Sequence, residues 1–228
     1  MKKIVFILLI SLQFIGNTSA QNCSKFYPFE EGATIQITSY DRKGKVAATV
    51  DNKVLGVSES QGTETATIEA VVKDDKGKLI ATSNYNISCT VNIVSIDFKS
   101  LMSPQIFEQF GEMDYEVTGT DLQIPNDIRV GQELPDANMD MAINMGGINM
   151  NMNVTMKDRK VIGQEEVTTP AGTFNCFVIS YNLDMKMGMN QKGSAKQWIA
   201  EGVGMVKQED YNKSGKVTSS SLLTAFSK

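Results

Sequence analysis

Methionine is the residue type whose spacing in this sequence could do chemistry. Methionines alternate with polar or small residues before Gly146-Gly147, alternate again after it, and recur near residue 187. Successive side chains of a β-strand point to opposite faces, so a period of two places one residue type on one face. Two glycines between alternating segments predict a β-hairpin, here at residues 138–157. The predicted face comprises Met139, Met141, Met145, Met150, Met152, Met156, Met185, Met187 and Met189.

Three interpretations fit this methionine face. Methionine fills irregular space, so the face could simply be packed core. Its flexible thioethers also adapt to apolar guests better than stiff valine or isoleucine, which makes the nine residues our candidate ligand-binding set. Closely spaced thioethers can also bind copper(I), but such sites commonly recruit histidine or cysteine, and the chain has no histidine. We therefore predict no metal site and keep copper(I) as the third interpretation.

No arrangement typical of catalysis is visible in the sequence. Without histidine the chain lacks the commonest general base and every Ser-His or Cys-His nucleophile pair. The adjacent carboxylates Glu30-Glu31, Asp74-Asp75 and Glu165-Glu166 lie in turns or alternate sides along predicted strands, as solvated surface residues do. We predict a protein that is not an enzyme, with no catalytic residue and no cofactor.

The first twenty residues predict export. Lys2 and Lys3 precede an apolar stretch from Ile4 to Ile15, and small residues stand at Thr18 and Ala20. This is the order of a secretory signal peptide, residues 1–20, cleaved after Ala20. The apolar stretch is shorter than the roughly 20 residues that span a bilayer. We expect a periplasmic or secreted protein.

The cysteines of an exported chain are expected to form disulfides where they can. Three cysteines allow three pairings, and we expect Cys23 with Cys89, because Cys89 ends a polar segment and the mature N-terminus needs an anchor. Cys176 lies among apolar residues, where a buried thiol packs as a small hydrophobe. A lipid-modified Cys23 is the alternative, but the preceding Gln21-Asn22 lacks the small or apolar residues of a lipoprotein signal.

The mature chain, residues 21–228, has the length of one ordinary domain. It carries 20 basic and 26 acidic residues, a net charge of −6, with no long basic run. Nucleic acids and anionic lipid surfaces attract positive charge, so neither is an expected partner. We expect no stable membrane insertion, and an apolar small molecule, a lipid or a lipoprotein as partner.

Turn signals and alternation predict the fold class. The segments 40–45, 73–78 and 211–216 share polar residues followed by glycine and lysine, which predicts three similar hairpin turns. Helical spacing is confined to Ser100–Phe110, and 119–137 is expected to be a connecting loop. We predict an all-β fold, a strongly curved antiparallel sheet or partly closed β-barrel with one short α-helix.

Two C-terminal segments carry a family resemblance. They are Val167–Cys176, with the sequence VTTPAGTFNC, and Trp198–Lys207, with the sequence WIAEGVGMVK. Together, as the signature 167–207, they resemble the TapB-like family of exported bacterial proteins, a domain of unknown function. The resemblance implies a β-rich, curved-sheet or barrel-like exported protein. It implies no catalytic residue.

These observations lead to one functional hypothesis and two rivals. The leading hypothesis is a non-enzymatic protein that binds or carries an apolar ligand or a lipidated partner in a methionine-lined interior. The alternative is a structural or assembly protein of the cell envelope with a simply packed core. Copper(I) binding through thioethers is third.

Overall fold

The computed structural model describes residues 23–97, 114–145, 148–187 and 189–228. The predicted signal peptide, the predicted helix Ser100–Phe110 and the Gly146-Gly147 turn lie outside the described residues. Within the described ranges the secondary structure is β-strand with no helix, so the all-β class is confirmed. The strands are β1 (Thr34–Asp41), β2 (Val46–Ser60), β3 (Thr63–Asp74), β4 (Leu79–Thr90), β5 (Ile93–Ile96), β6 (Asp114–Gly119), β7 (Leu122–Pro125), β8 (Ala137–Met145), β9 (Ile148–Thr169), β10 (Gly172–Met187), β11 (Met189–Ala200), β12 (Gly204–Asn212) and β13 (Val217–Ser227).

All thirteen strands belong to one antiparallel sheet. Their order is β6-β8-β9-β10-β11-β12-β13-β1-β2-β3-β4-β5-β7. The first and last strands of the chain's main body, β1 and β13, pair in the middle, with Tyr40 opposite Ser220. The edge strands β6 and β7 are consecutive in the chain and are separated only by Thr120 and Asp121. The sheet therefore curls so that its edges approach each other, but it stays an open sheet.

The predicted loop 119–137 contains a strand that the sequence analysis missed. The four residues of β7 pair with β5, with Val94 opposite Ile124. Leu122 and Ile124 are buried, whereas the intervening Gln123 is only half-buried. A strand of four residues is too short to show a clear alternation of apolar and polar residues in the sequence. Its terminal Pro125 is tolerated because β7 lies at an edge of the sheet.

The methionine hairpin forms with the predicted pairing of its two strands. Met141 on β8 lies directly opposite Met152 on β9, and both side chains are buried. The three predicted turns also form, with Gly44, Gly77 and Gly215 at φ values of +74°, +78° and +74°. Positive φ is the conformation for which glycine is suited, so these turns follow directly from local sequence.

Buried apolar side chains form three clusters. The first cluster joins five strands, β2, β3, β4, β5 and β7, to the methionine hairpin. The second cluster joins Phe26 to β9, β10 and β11. The third lies around Trp198 and includes Cys176. Burial at roughly 25 cal/mol per Å² makes these contacts the main favourable term in the folding free energy. Their members include Val54, Ile68, Ile87, Met139 and Met141 in the first, Val161, Ile179, Tyr181 and Ile199 in the second, and Ile37, Val206 and Leu223 in the third.

The structure contains a disulfide between Cys23 and Cys89, and Cys176 is a buried free cysteine. The backbone N–H of Cys23 also donates a hydrogen bond to the Glu64 carboxylate at 3.1 Å. Burial raises the pKa of the Cys176 thiol to about 11, with a smaller contribution from the nearby Glu165 carboxylate. Thiolates are the reactive form of cysteine, so we expect Cys176 to resist alkylation in the folded protein.

Removal of the disulfide should lower the free energy of unfolding by about 4 kcal/mol, because the bond restrains a long loop of the unfolded chain. The cysteines are 66 positions apart. The variant is Cys23→Ala with Cys89→Ala, compared by urea denaturation with Cys176→Ala, which keeps the bond. An unchanged unfolding midpoint in the double variant, or a peptide linking Cys176 to either other cysteine, would contradict this assignment.

Candidate functional site

The structure places the described methionines of the candidate set in different surroundings. Met139, Met141 and Met152 are buried in the first core cluster, and Met156 packs against two clusters. Met185 is 37% exposed. The side chains of Met145, Met150, Met187 and Met189 lie outside the described residues. The buried methionines therefore fill core space between β8, β9 and the facing strands.

A separate cavity of about 150 Å³, partly open to the surface, lies on the concave side of the curled sheet. Its apolar wall comes from one half of the sheet through Ile35, Ile37, Ile68, Ile87, Ile96 and Leu122, and from the other through Val203 and Met205. Alternation on β1, β3, β4, β5 and β7 points the first six of these side chains to the concave side. A cavity of this volume and lining accepts a guest of about the size of benzene.

A few polar groups also face this cavity. The Tyr85 hydroxyl donates a hydrogen bond to Asn52 Oδ1 at 3.2 Å, and Gln197 Nε2 donates to Met205 Sδ at 3.4 Å. Burial raises the pKa of Tyr85. The hydroxyl therefore stays protonated and available as a donor across physiological pH. A mostly apolar wall with a few fixed polar groups is the usual character of a small-molecule site.

The segment Cys23–Phe29, which we call the N-terminal strap, forms part of the cavity wall. Tyr27 and Pro28 of the strap line the cavity, and Phe26 is fully buried, with its ring edge-on to Phe177 at 6.0 Å. Burial raises the pKa of Tyr27 to about 12, and the positive charge of Arg159 opposes this rise. The strap thus supplies side chains to the interior and does not trail from the domain.

Besides the Cys23–Glu64 hydrogen bond, three backbone hydrogen bonds and one ion pair hold the strap. Asn126 accepts a hydrogen bond from Lys25 N–H at 2.9 Å and donates through Nδ2 to the Cys23 carbonyl at 2.7 Å. Gly202 N–H donates to the Lys25 carbonyl at 2.8 Å. Lys25 and Glu201 form an ion pair at 2.8 Å. The strap therefore joins the β7 edge to the β11–β12 turn across the interior.

Arg159 is a buried charged residue, at 2% exposure. Its Nη1 donates to the carbonyls of Gln123 at 3.1 Å and Pro135 at 2.5 Å, whereas its Nε has no hydrogen-bond partner. Burial lowers the pKa of Arg159 to about 10. The guanidinium remains charged at neutral pH and ties 120–137 to β9.

The C-terminal signature has a structural role in this arrangement. Val203 and Met205 line the cavity, and Gly204 lies against the Tyr27 ring, where an added Cβ would come within 2.8 Å of ring carbons. Trp198 donates through Nε1 to the Glu165 carboxylate, and Lys207 lies over the Trp198 ring at 4.4 Å. The segment 198–207 thus packs against the strap.

An open groove of about 570 Å³ lies across the ends of β9, β10 and β11, and Cys176 is part of its lining. Glu165, Glu166 and Glu201 line it, so it is polar and acidic. The described residues contain no group of three or more His, Cys, Asp or Glu side chains placed to hold a metal ion. In the same described part, no helix is long and apolar enough to cross a membrane.

The chain belongs to the DUF3108-like family, whose model matches residues 30–223. The narrower TapB-like assignment is not confirmed; the supported family is the DUF3108-like one. No curated protein matches the sequence significantly.

Two solved structures share the fold. One is from Bacteroides fragilis and is described as an exported protein with a YmcC-like fold; it has a TM-score of 0.75 at 22% identity and covers 90% of this chain and 100% of its own. The other is from Parabacteroides distasonis and is described as a lipoprotein, with a TM-score of 0.75 at 23% identity, covering 91% and 100%. At this identity the likeness establishes the YmcC-like fold alone.

The sequence analysis did not select the cavity residues as site candidates. The alternation of Ile35 and Ile37 was visible, but isoleucine facing a cavity and isoleucine facing packed core have the same pattern. Methionine stood out because it is unusual, whereas the cavity is lined by ordinary residues. The distinction depends on how far apart the two halves of the curled sheet lie.

Replacement of buried methionine by leucine should be mild, because the two side chains have similar volumes. We expect Met141→Leu and Met152→Leu each to cost under about 1.5 kcal/mol, and Met141→Asp to prevent folding. Chemical denaturation measures the first two, and circular dichroism tests the third. A folded Met141→Asp variant would show that this face is exposed.

Gly204→Ala should destabilise the protein by at least about 1 kcal/mol, because φ is +88° there and the new methyl group would press on Tyr27. The matched control is Gly163→Ala, also in a strand, where no atom lies within 4 Å and φ is not positive. Urea denaturation should separate the two variants. Equal midpoints would show that the strap does not depend on Gly204.

Proposed function

We propose that this chain is an exported, non-enzymatic binding protein for a small apolar ligand or the apolar end of a larger one. The observation that carries the proposal is the cavity of about 150 Å³, lined by isoleucines and a few oriented polar groups. Its volume matches a single ring or a short alkyl chain better than a whole lipid. A lipidated partner would therefore place only the end of its acyl chain inside.

The proposed location is the periplasm or the cell exterior. The predicted signal peptide supports it, and so do the two structural relatives, described as an exported protein and a lipoprotein. In this chain the sulfur of Cys23 is bonded to Cys89. The same sulfur cannot also carry a lipid, so the disulfide-bonded form is the unlipidated one.

A structural protein of the envelope is the second candidate. The packing of Met139, Met141 and Met152 into the first core cluster favours it, because these residues then need no ligand to explain them. The two candidates differ in whether the cavity must stay open. Copper(I) binding through the methionines is a third and lower-ranked proposal.

Val203→Phe tests whether the cavity is open and used. The variant adds about four carbon atoms at a wall position, so it should keep its stability if the cavity is present and lose about 1–3 kcal/mol if the space is already packed. Val57→Phe, at an exposed position on β2, is the control. Both are compared with the unmodified protein by urea denaturation.

Ligand binding is measured with the same variants and an envelope lipid extract. Ligand should raise the free energy of unfolding of the unmodified protein by up to about 2.7 kcal/mol at a ligand concentration one hundred times Kd. It should not raise the free energy of unfolding of Val203→Phe. Mass spectrometry of a solvent extract of the purified protein identifies the ligand. No gain in any variant and no extracted molecule would favour the structural candidate.

A further inference from the structure

Three hairpin turns far apart in sequence have the same structure. In each, a side-chain Oδ1 accepts hydrogen bonds from two backbone N–H groups of its own turn. Asp41 accepts from Lys43 at 2.7 Å and Lys45 at 3.0 Å. Asp74 does so with Lys76 and Lys78, and Asn212 with Ser214 and Lys216. The acceptor side chain is turned inward, which leaves the lysine side chains free to point outward.

The three turns lie at the same end of the sheet. They connect β12 to β13, β1 to β2, and β3 to β4, and these six strands are adjacent in the sheet. The starts of the three turns are staggered along the strand direction. The β3–β4 turn starts level with Ser39 of β1. The β1–β2 turn starts two residues beyond that level, and the β12–β13 turn starts two residues beyond the β1–β2 turn. Each step is about 7 Å along the strands and about 10 Å across them, a tilt of about 35°. Tilted strands with this stagger bring their turns to one rim, about 12 Å apart.

This hairpin rim, residues 41–46, 74–79 and 212–217, is positively charged. It carries Arg42, Lys43, Lys45, Lys76, Lys78, Lys213 and Lys216 against Asp41, Asp74 and Asp75, a net charge of +4. The whole sequence has a formal net charge of −4. Nine of these ten side chains are exposed, and Asp74 is half-buried. No basic run is visible in the sequence because each turn contributes only two or three cations.

An exposed apolar residue follows the last lysine of each turn. Val46 is 40% exposed, Leu79 57% and Val217 45%. One exposed valine needs no explanation on a protein surface. Three apolar side chains in the same position of three adjacent turns, each next to a lysine, form a repeated basic and apolar pattern.

The opposite end of the sheet carries more acidic side chains. Glu59 and Glu64 flank the β2–β3 turn, and Glu165 and Glu166 lie near the end of β9, whereas Glu201 in the β11–β12 turn is paired with Lys25. The domain is therefore electrically polarised along its strands. An anionic surface would attract the hairpin rim and repel the other end.

We propose that the hairpin rim binds the anionic surface of a phospholipid bilayer. Lysines near such a surface gain electrostatic attraction, and neighbouring apolar side chains enter the headgroup region. Lysine side chains suit this diffuse charge, whereas paired recognition of single phosphates favours arginine, of which the rim has one. The contact is peripheral and reversible, and it does not depend on the cavity holding a ligand.

Vesicle co-sedimentation of the disulfide-bonded mature chain tests this proposal. The vesicles are equal parts of phosphatidylglycerol and phosphatidylcholine, with phosphatidylcholine alone as the uncharged comparison. Lys45→Gln, Lys78→Gln and Lys216→Gln together should reduce binding to the anionic vesicles at least tenfold. Their turns should persist because backbone N–H groups, not the lysine side chains, make the turn hydrogen bonds. Added salt should weaken binding of the unmodified protein, because it screens exposed charges.

Two further variants sharpen the result. Lys53→Gln, Lys160→Gln and Lys186→Gln together remove the same charge from exposed positions outside the rim and should bind as the unmodified protein does. Val46→Ser, Leu79→Ser and Val217→Ser together keep every lysine and should bind more weakly. Equal losses in the two lysine variants, or no binding to anionic vesicles, would overturn the proposal. A third outcome would also overturn the proposal: the protein binds polyglutamate as strongly as it binds the vesicles, and the serine changes have no effect. The rim would then recognise negative charge alone.

Discussion

The two edge strands of this thirteen-stranded sheet follow each other in the chain with Thr120 and Asp121 between them. Laid flat, thirteen strands would put these edges about 58 Å apart, whereas two residues span only about 7 Å. The sheet must therefore curl until β6 and β7 meet at a corner. The corner is tight, because Gly119 lies so close to Asn138 that a Cβ would reach 2.1 Å from its carbonyl oxygen. The inside and outside of the molecule, its cavity and its rims all follow from this short connection.

Curling alone does not complete the interior, because the N-terminal strap forms part of its wall. The strap puts Phe26 and Tyr27 where facing strands do not fill the space, and a disulfide fixes its start. Arg159 supports the same region from β9. A buried guanidinium is costly to desolvate, and two carbonyl acceptors offset only part of that cost. The hydrogen bonds of Arg159 to the carbonyls of Gln123 and Pro135 join β9 to the segment that carries β7.

The proposed cavity and the hairpin rim use different parts of the same curled sheet. The cavity depends on side chains that point inward from several strands, and the rim depends on turns at the strand ends. The strand tilt links them, since the same stagger that lets the sheet curl also aligns the three turns. The charge difference between the two ends would orient the domain on a surface. A binding protein that docks at a membrane through its rim would keep its strap, at the acidic end, away from the bilayer.

Local patterns in the sequence determined the all-β class, the three turns and the methionine hairpin, because alternation and glycine in left-handed turns act over a few residues. Strand β7 was not predicted, because four residues are too few to show the periodicity of a strand. The cavity could not be predicted, because an isoleucine that faces a gap has the same local pattern as one that faces packed core. The hairpin rim could not be predicted either, since its cations come from three separate segments between Arg42 and Lys216 in a chain of negative net charge. Only strand order and register decide which residues of a sheet become neighbours, and both are set by long-range pairing that local sequence does not encode.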